Sequence, residues 1–421
     1  VRQPKLLTTM RTYSWSLFLS DLAAGITVAM VALPLSLAIA IASGADPGTG
    51  LVTAIVGGFF ISALGGSRVQ IGGPTGAFIV VVYGVIASHG LSGLVLATFM
   101  AGILLLIAGF FRIGRLISHV PEAVVNGFTI GIAIIIASSQ LKDFLGLDVS
   151  NLPADFLEKI PVLWAARDTA NPSTLTVALL SLGLIILFRR LAPKLPGLIV
   201  AVAIGSLAVV LGGLPVDTIA TRFGALPSSL PAPHLPDLSL ARVIELFPSA
   251  VVIAFLAGVE SLLSALVADR MIDGHHRPNA ELLAQGAGNI ASSLFGGLPV
   301  TGAIARTATN IRAGGKTPVA GMVHALVILI VMLVAAPLAG YLALPAMAAV
   351  LIMTAWNMSE PHKWAGYLAE PWTDRILLLV TLVLTVVVDL TVAIGVGVAL
   401  GLLLRLRHAE VLPEDWTPPE R

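Results

Sequence analysis

Uncharged apolar runs recur along almost the whole chain, separated by short stretches holding Gly, Pro and basic residues. Leu22 to Ala42 carries no charge, and neither does Leu91 to Phe111. A hydrocarbon core about 30 Å thick is crossed by roughly 20 apolar residues in a helix. The pattern predicts fourteen segments, some of them short, near 22–43, 50–64, 75–88, 91–111, 122–140, 172–190, 196–212, 247–269, 280–294, 301–312, 317–336, 345–358, 373–388 and 391–406. The runs do not alternate with period two, as barrel strands do. In lipid every backbone polar group must be satisfied internally, which leaves a helix bundle. The expected fold class is therefore an all-α polytopic membrane protein. The long connections, 141–171 and 213–246, mix Pro, Asp and a few basic residues as solvated loops do. The second divides the segments seven plus seven.

Composition strengthens this reading. The 421 residues are 57% hydrophobic and 11% charged, against about 25% charged in soluble domains. The absence of cysteine excludes a disulfide framework and thiol chemistry. A net charge of +1 argues against nucleic acid as a partner. No P-loop is present, so no nucleotide drives the protein, and no cofactor is expected. His275–His276 is too little for a metal site. No paired metal-ligand motif or nucleophile–base constellation points to an enzyme.

Charge also orients the segments. Basic residues concentrate on cytoplasmic connections. With the N-terminus inside, the basic residues on alternate connections fall on the cytoplasmic side, among them Arg2, Arg68, Arg115, Lys194 and Arg421. The exceptions are Lys142, Lys159, Arg167, Arg222 and Arg242 in the two long outer connections, and Arg306 within a segment. The expectation is a multi-pass protein of the inner membrane with both termini cytoplasmic. The apolar run after the polar N-terminus is too long for a signal-peptide core and is taken as the first span.

Two stretches interrupt the helical pattern in the same way. Gly57–Gly66 reads GGFFISALGG and Gly288–Gly297 reads GNIASSLFGG. Each is followed by a Pro and by Thr-Gly-Ala, at Thr75-Gly76-Ala77 and Thr301-Gly302-Ala303. The copies lie seven segments apart, an odd number, so the second is inverted in the membrane. Inverted repeats with Gly/Pro-interrupted segments at matched positions point to a transport site. Each Gly-rich stretch is expected to cross half the membrane as extended chain and to lead into a half-helix over 75–88 or 301–312. The two half-helix N-termini then face each other near mid-depth. Their free N–H groups and positive dipole ends make an anion site built largely of backbone.

These stretches carry a resemblance. ALPLSLAIAIASG at 32–44, GGSRVQIGGPTGA at 65–77, VESLLSALVAD at 259–269 and GNIASSLFGGLPVTGAIARTATNIRAGGKTPVAG at 288–321 are similar to the sulfate permease (SulP) family, also called solute-carrier family 26. The resemblance implies a 7+7 inverted repeat, as in uracil-permease-like folds, with a core domain (segments 1–4 and 8–11) and a gate domain (5–7 and 12–14). In this division 1–21 is a cytoplasmic N-terminus and 22–140 holds segments 1–5. Residues 141–212 hold gate segments 6–7, 213–246 an outer loop, 247–336 core segments 8–11, 337–406 gate segments 12–14 and 407–421 a cytoplasmic tail. The family usually carries a C-terminal STAS domain. The sequence stops at Pro413 to Arg421 and is expected to correspond to the membrane domain alone.

Several side chains add chemistry. Arg306, inside the tenth segment, is a fixed cation able to pair bidentately with a carboxylate or sulfate, and an arginine at mid-membrane is usually functional. Glu260, with Ser264 one turn on, lies near the centre of the eighth segment and is the acidic group expected deepest in the membrane. In the family an acidic residue here couples transport to a cation, and Glu favours a proton over sodium. The expected anion site comprises Leu35, Ile39, Gly73, Thr75, Gly76, Ala77, Thr301, Gly302, Ala303, Ile304 and Arg306, with Glu260 and Ser264 in ion coupling. Leu35 and Ile39, where many members have Gln and an aromatic, suit a substrate with some apolar body, such as fumarate. Pro121-Glu122 reads as a helix start, His324 as a satisfied packing histidine, and Asp389 as solvated. The expected function is proton-coupled symport of a small anion such as a C4-dicarboxylate by alternating access, in a homodimer surrounded by lipid. Alternatives are a sulfate, bicarbonate or chloride carrier of the same family, or a nucleobase:proton symporter of the same fold.

Overall fold

The computed structural model describes residues 3–114, 121–193, 195–388 and 390–409. Arg2, Arg115, Lys194, Asp389 and the tail from Pro413 to Arg421 lie outside them. Within this range fourteen helical segments appear in the expected order. Segments 1 and 2 are Trp15–Ala42 and Pro47–Leu64. A helix over Ile79–Phe110 contains segments 3 and 4, divided at Gly90, whose φ of +71° turns the chain between them. Segments 5 to 7 are Glu122–Leu145, Pro172–Leu191 and Gly197–Gly212. Segments 8 to 11 are Leu240–Ile272, Pro278–Leu294, Ile304–Arg312 and Val319–Ala339. Segments 12 to 14 are Leu344–Met358, Trp372–Val387 and Leu390–Ala409. Seven of the helices are long and apolar enough to cross a membrane on their own.

Local chemistry sets the ends. Ser14 caps segment 1 by accepting from Leu17 N. Asn171 caps segment 6 by accepting from Ser173 N and Thr174 N, and Arg189 and Arg190 sit in its last turn, where cations complement the helix dipole. Glu122 opens segment 5 directly after Pro121, as expected. The two long connections are more ordered than their composition suggests. The first contains a short helix, Phe156–Ala165. Its Lys159 is 3% exposed rather than solvated, and burial lowers its amine to about 8. The second gives up Leu240–Phe247 to segment 8, which carries Pro248 inside it.

The segments pack in two groups. Segments 3 and 4 lie against 8 and 9, segment 9 against 2, and segment 11 against 1 and 2. Segment 5 lies against 12 and 13, segment 6 against 7 and 12, and segment 13 against 14. Each group thus interleaves helices from both halves of the chain. Segment 1 also touches 7 and 12, at the boundary between the groups.

The two halves meet in a short antiparallel pair. Strand β1 (Gly72–Gly73) bonds β2 (Thr301–Gly302), with Gly72 opposite Gly302 and Gly73 opposite Thr301. Extended chain inside a bilayer needs partners for its N–H and C=O groups, and the two interrupted stretches satisfy one another.

Candidate anion-binding site

Each strand runs into the N-terminus of a half-helix. After β1 the chain makes a 3₁₀ turn at Gly76–Phe78, with Thr75 at the N-cap position of the turn, and continues as helix from Ile79. After β2 the helix starts at Ile304 with Ala303 as N-cap. The tenth segment is therefore a helix of nine residues, not the twelve expected from Thr301. At 1.5 Å per residue it is about 13.5 Å long, roughly half the hydrocarbon thickness. The matched Thr-Gly-Ala motifs do not occupy matched places: Thr75 leads directly into the 3₁₀ turn, whereas Thr301 lies in the strand. The first copy spends more chain between its Gly pair and its Pro, and that extra length shifts the register.

Segment 8 runs behind both. The Thr75 hydroxyl donates to Glu260 Oε2 at 2.9 Å. The Thr301 hydroxyl donates to the Ala257 carbonyl at 2.9 Å, one turn earlier on the same helix. Both hydroxyls are committed to segment 8. Ser264 does not reach Glu260 either; it donates to Thr307 at 3.4 Å. What remains for an anion on this side is backbone N–H groups in the first turns of the two half-helices. Ile304, at the start of the second, is 40% exposed. Leu35 and Ile39 on segment 1 are buried.

Arg306 is 1% exposed. Its Nη2 donates to the Pro74 carbonyl and to Ser36 Oγ, both at 3.1 Å. The guanidinium thus ties segments 1 and 10 to the residue preceding Thr75. Gly73 permits this approach: a Cβ there would lie 1.9 Å from Arg306 Nη1. Nε and Nη1 have no protein partner. Among the described residues no ion pair joins Arg306 to Glu260, so the two charges are held separately. Ser36 belongs to the site through Arg306. Its place in the Pro-Leu-Ser-Leu-Ala run is a signal the sequence reading passed over.

Glu260 is half-buried, and two other acids lie deeper in the protein. Glu281 and Asp21 are each fully buried. Glu281 Oε2 accepts from Gly66 N and Ser67 N at 2.8 and 3.1 Å. Its Oε1 accepts from Gln70 Nε2 and Gln285 Nε2, each at 3.0 Å, and from Ser261 at 3.2 Å. Further along the same connection Asn310 Nδ2 donates to Val69 O at 2.8 Å, Ile71 N to Thr307 Oγ1 at 3.0 Å, and Ala303 N to Ile71 O at 2.8 Å. The connection leading into β1 is bonded at nearly every residue. Asp21 does similar work elsewhere, accepting from Lys316 N, Thr317 N, the Thr317 hydroxyl and Tyr13. Leaving a buried donor without its acceptor costs about 1–3 kcal/mol, and Glu281 satisfies several at once. Glu281→Leu is therefore expected to lower the thermal unfolding midpoint strongly in detergent, and an unchanged midpoint would show that the connection is held by other means.

His324 is fully buried, and neither ring nitrogen makes a hydrogen bond. It is not the satisfied packing histidine expected from sequence. It lies beside Gly58, where a Cβ would be 3.8 Å from its Cε1. A separate cavity of about 600 Å³, lined by Glu122, His362, Tyr367, Glu370 and Asp374 among others, lies between segments 5 and 13 and contains none of the site residues.

Comparison with known proteins places this geometry in a family. Residues 18–381 match the family model described as "Sulfate permease family". YvdB of Bacillus subtilis is 43% identical over 373 residues, covering 88% of this chain and 70% of that protein. The bicarbonate transporter BicA of Picosynechococcus is 33% identical over 341 residues, covering 78% of this chain and 60% of that protein. This chain thus spans less than two thirds of BicA. The solved transmembrane domain of a cyanobacterial bicarbonate transporter BicA superposes with a TM-score of 0.81 at 31% identity, covering 91% of this chain and 99% of that one.

Proposed function

The chain belongs to the sulfate permease family, and from that premise we propose that it carries a small anion together with a proton by alternating access. It is a membrane anion transporter built as a 7+7 inverted repeat, and not an enzyme. The hydrogen bond from Thr75 to Glu260 carries the reading of proton coupling. A threonine hydroxyl has one proton to donate. While Glu260 is ionised, that proton is committed to its carboxylate. Protonated Glu260 releases it, and Thr75 then offers a donor to an anion at the mouth of its half-helix. Proton and anion therefore favour each other's binding, and linkage makes the effect reciprocal. Glu281 and Asp21 do not fit this role. Their oxygens already accept from five and four donors, and an added proton would face another donor.

The substrate in this reading is a C4-dicarboxylate such as fumarate. Nε and Nη1 of Arg306, buried without a protein partner, are the charged donors left for one carboxylate. The half-helix N-termini suit the other, and Leu35 and Ile39 supply apolar wall. A second reading is bicarbonate, favoured by the BicA relatives and by how few side-chain hydroxyls remain free at the site. Segments 1–4 and 8–11 act as the core that carries the anion, and segments 5–7 and 12–14 as the gate. Uptake of radiolabelled fumarate, succinate, sulfate, bicarbonate and chloride into proteoliposomes, with and without an inward proton gradient, tests this. Fumarate uptake that rises with external acidity and is accelerated by unlabelled fumarate inside is the expected result. Uptake of every anion with no counterflow would instead indicate a channel.

A further inference from the structure

The N-terminal segment is held against the core at a point where positive charge collects. Lys5 N donates to Gly65 O at 2.9 Å, and Arg277 N donates to Gly66 O at 3.0 Å. Arg277 Nη1 reaches back to the carbonyls of Gln3 and Pro4 at 2.9 and 3.3 Å. Arg68, two residues beyond Gly66, is exposed. Lys5, Arg68 and Arg277 thus surround one junction, the end of segment 2 and the start of segment 9.

Among the described residues this charge is not matched by acids in direct contact. Arg277 is bonded only to neutral carbonyls. Asp269, the acid that acts on Lys5, is itself engaged by His276, whose backbone N and Nδ1 lie 2.8 and 2.6 Å from Asp269 Oδ2. Among the described residues none of the three basic groups forms an ion pair. The Lys5 amine is held below its ordinary value by burial, then by the nearby Arg277 and Arg68, which fits three cations in one another's field.

A second observation comes from the chain that follows. Leu7, Met10, Trp15 and Leu19 are 61%, 51%, 71% and 48% exposed, and Trp15 stacks on Phe18 with ring centroids 5.2 Å apart. Exposed apolar and aromatic side chains leading into the first span suit the membrane–water interface. Basic residues beside such an interface attract anionic lipid.

We propose that Lys5, Arg68 and Arg277 form a binding site for the phosphate group of an anionic phospholipid, with the exposed apolar residues of 7–19 against its acyl chains. The phosphate supplies the negative charge that the junction lacks. The lipid then fastens the N-terminal segment onto Gly65–Gly66, the start of the connection that leads to β1 and the anion site.

The test uses the purified protein in detergent, titrated with short-chain phosphatidylglycerol or phosphatidylcholine and read by native mass spectrometry. Wild type is expected to retain phosphatidylglycerol in preference to phosphatidylcholine. Lys5→Gln with Arg68→Gln, which leaves the Arg277 contacts in place, is expected to bind phosphatidylglycerol roughly thirtyfold more weakly. Lys363→Gln with Arg375→Gln, which removes two cations elsewhere, is expected to leave retention unchanged. Equal retention by the Lys5/Arg68 variant overturns the site. An equal loss in the Lys363/Arg375 variant overturns it too, because the attraction is then diffuse. Inorganic phosphate that binds wild type and displaces the lipid at equal concentration shows a free-phosphate site and overturns the lipid assignment. The measurement involves no transport, so its outcome is independent of the coupling mechanism proposed above.

Discussion

Glu260→Gln is expected to abolish accumulation driven by a proton gradient while leaving substrate exchange in place. The amide has the shape of the protonated acid and can still meet Thr75, but it neither takes up nor releases a proton. In wild type, one proton moving with each substrate supports about tenfold accumulation per unit of pH difference, since 1.4 kcal/mol corresponds to a factor of ten. The variant should stop at the equilibrium set without that gradient. Uptake by wild type should rise as external pH falls, because acidity fills the carboxylate on the side from which substrate binds. The variant's uptake should be flat over the same range. Proteoliposomes with an inward proton gradient provide the measurement, with counterflow at equal pH as the control for folding. A variant that still concentrates substrate as wild type does would move the proton to another group. His324, buried with both ring nitrogens unbonded, is then the next to replace.

Arg306→Ala should weaken substrate binding by about 2–3 kcal/mol, roughly 30- to 150-fold, the range for a hydrogen bond to a charged group with its partner left unpaired. Two losses combine. The unpartnered Nε and Nη1 donors disappear as partners for the anion. The Nη2 bonds to Ser36 and Pro74 also disappear, and with them the brace behind Thr75. Arg306→Lys separates these effects. It keeps the charge but presents a point cation in place of a planar fork, so it should recover part of the affinity without restoring discrimination between a carboxylate and a spherical halide. Equal affinity of wild type and both variants in competition uptake would remove Arg306 from the site.

Thr75 and Thr301 show where sequence reading stops. Their motifs match letter for letter, and the match locates both half-helices. Only the register of β1 on β2 shows that one Thr leads into a 3₁₀ turn and the other pairs in a strand. The longer connection before Pro74 offsets the two copies. Glu281 was passed over because it sits in the first turn of segment 9, where acidic residues are common helix-start signals. Its role depends on Gly66, Ser67 and Gln70, more than 200 positions earlier in the chain. Lys159 lies in a Pro-containing connection of solvated-loop composition, yet a short helix folds it under.

What the sequence determined by itself is the class of solvent and the number of elements. Long uncharged runs have one stable solution in lipid, and their spacing fixes how many there are. Gly and Pro at matched places mark where the helices break, because those residues are tolerated there only with partners for the freed backbone. The tertiary structure decided everything that depends on pairing across the chain. The partner that satisfies each interrupted strand, the hydroxyl that meets Glu260, and the Ser36 and Pro74 oxygens that hold Arg306 are all contacts between the two halves. Backbone requirements are local and leave a periodic trace, whereas a buried hydrogen bond depends on distances that only packing sets.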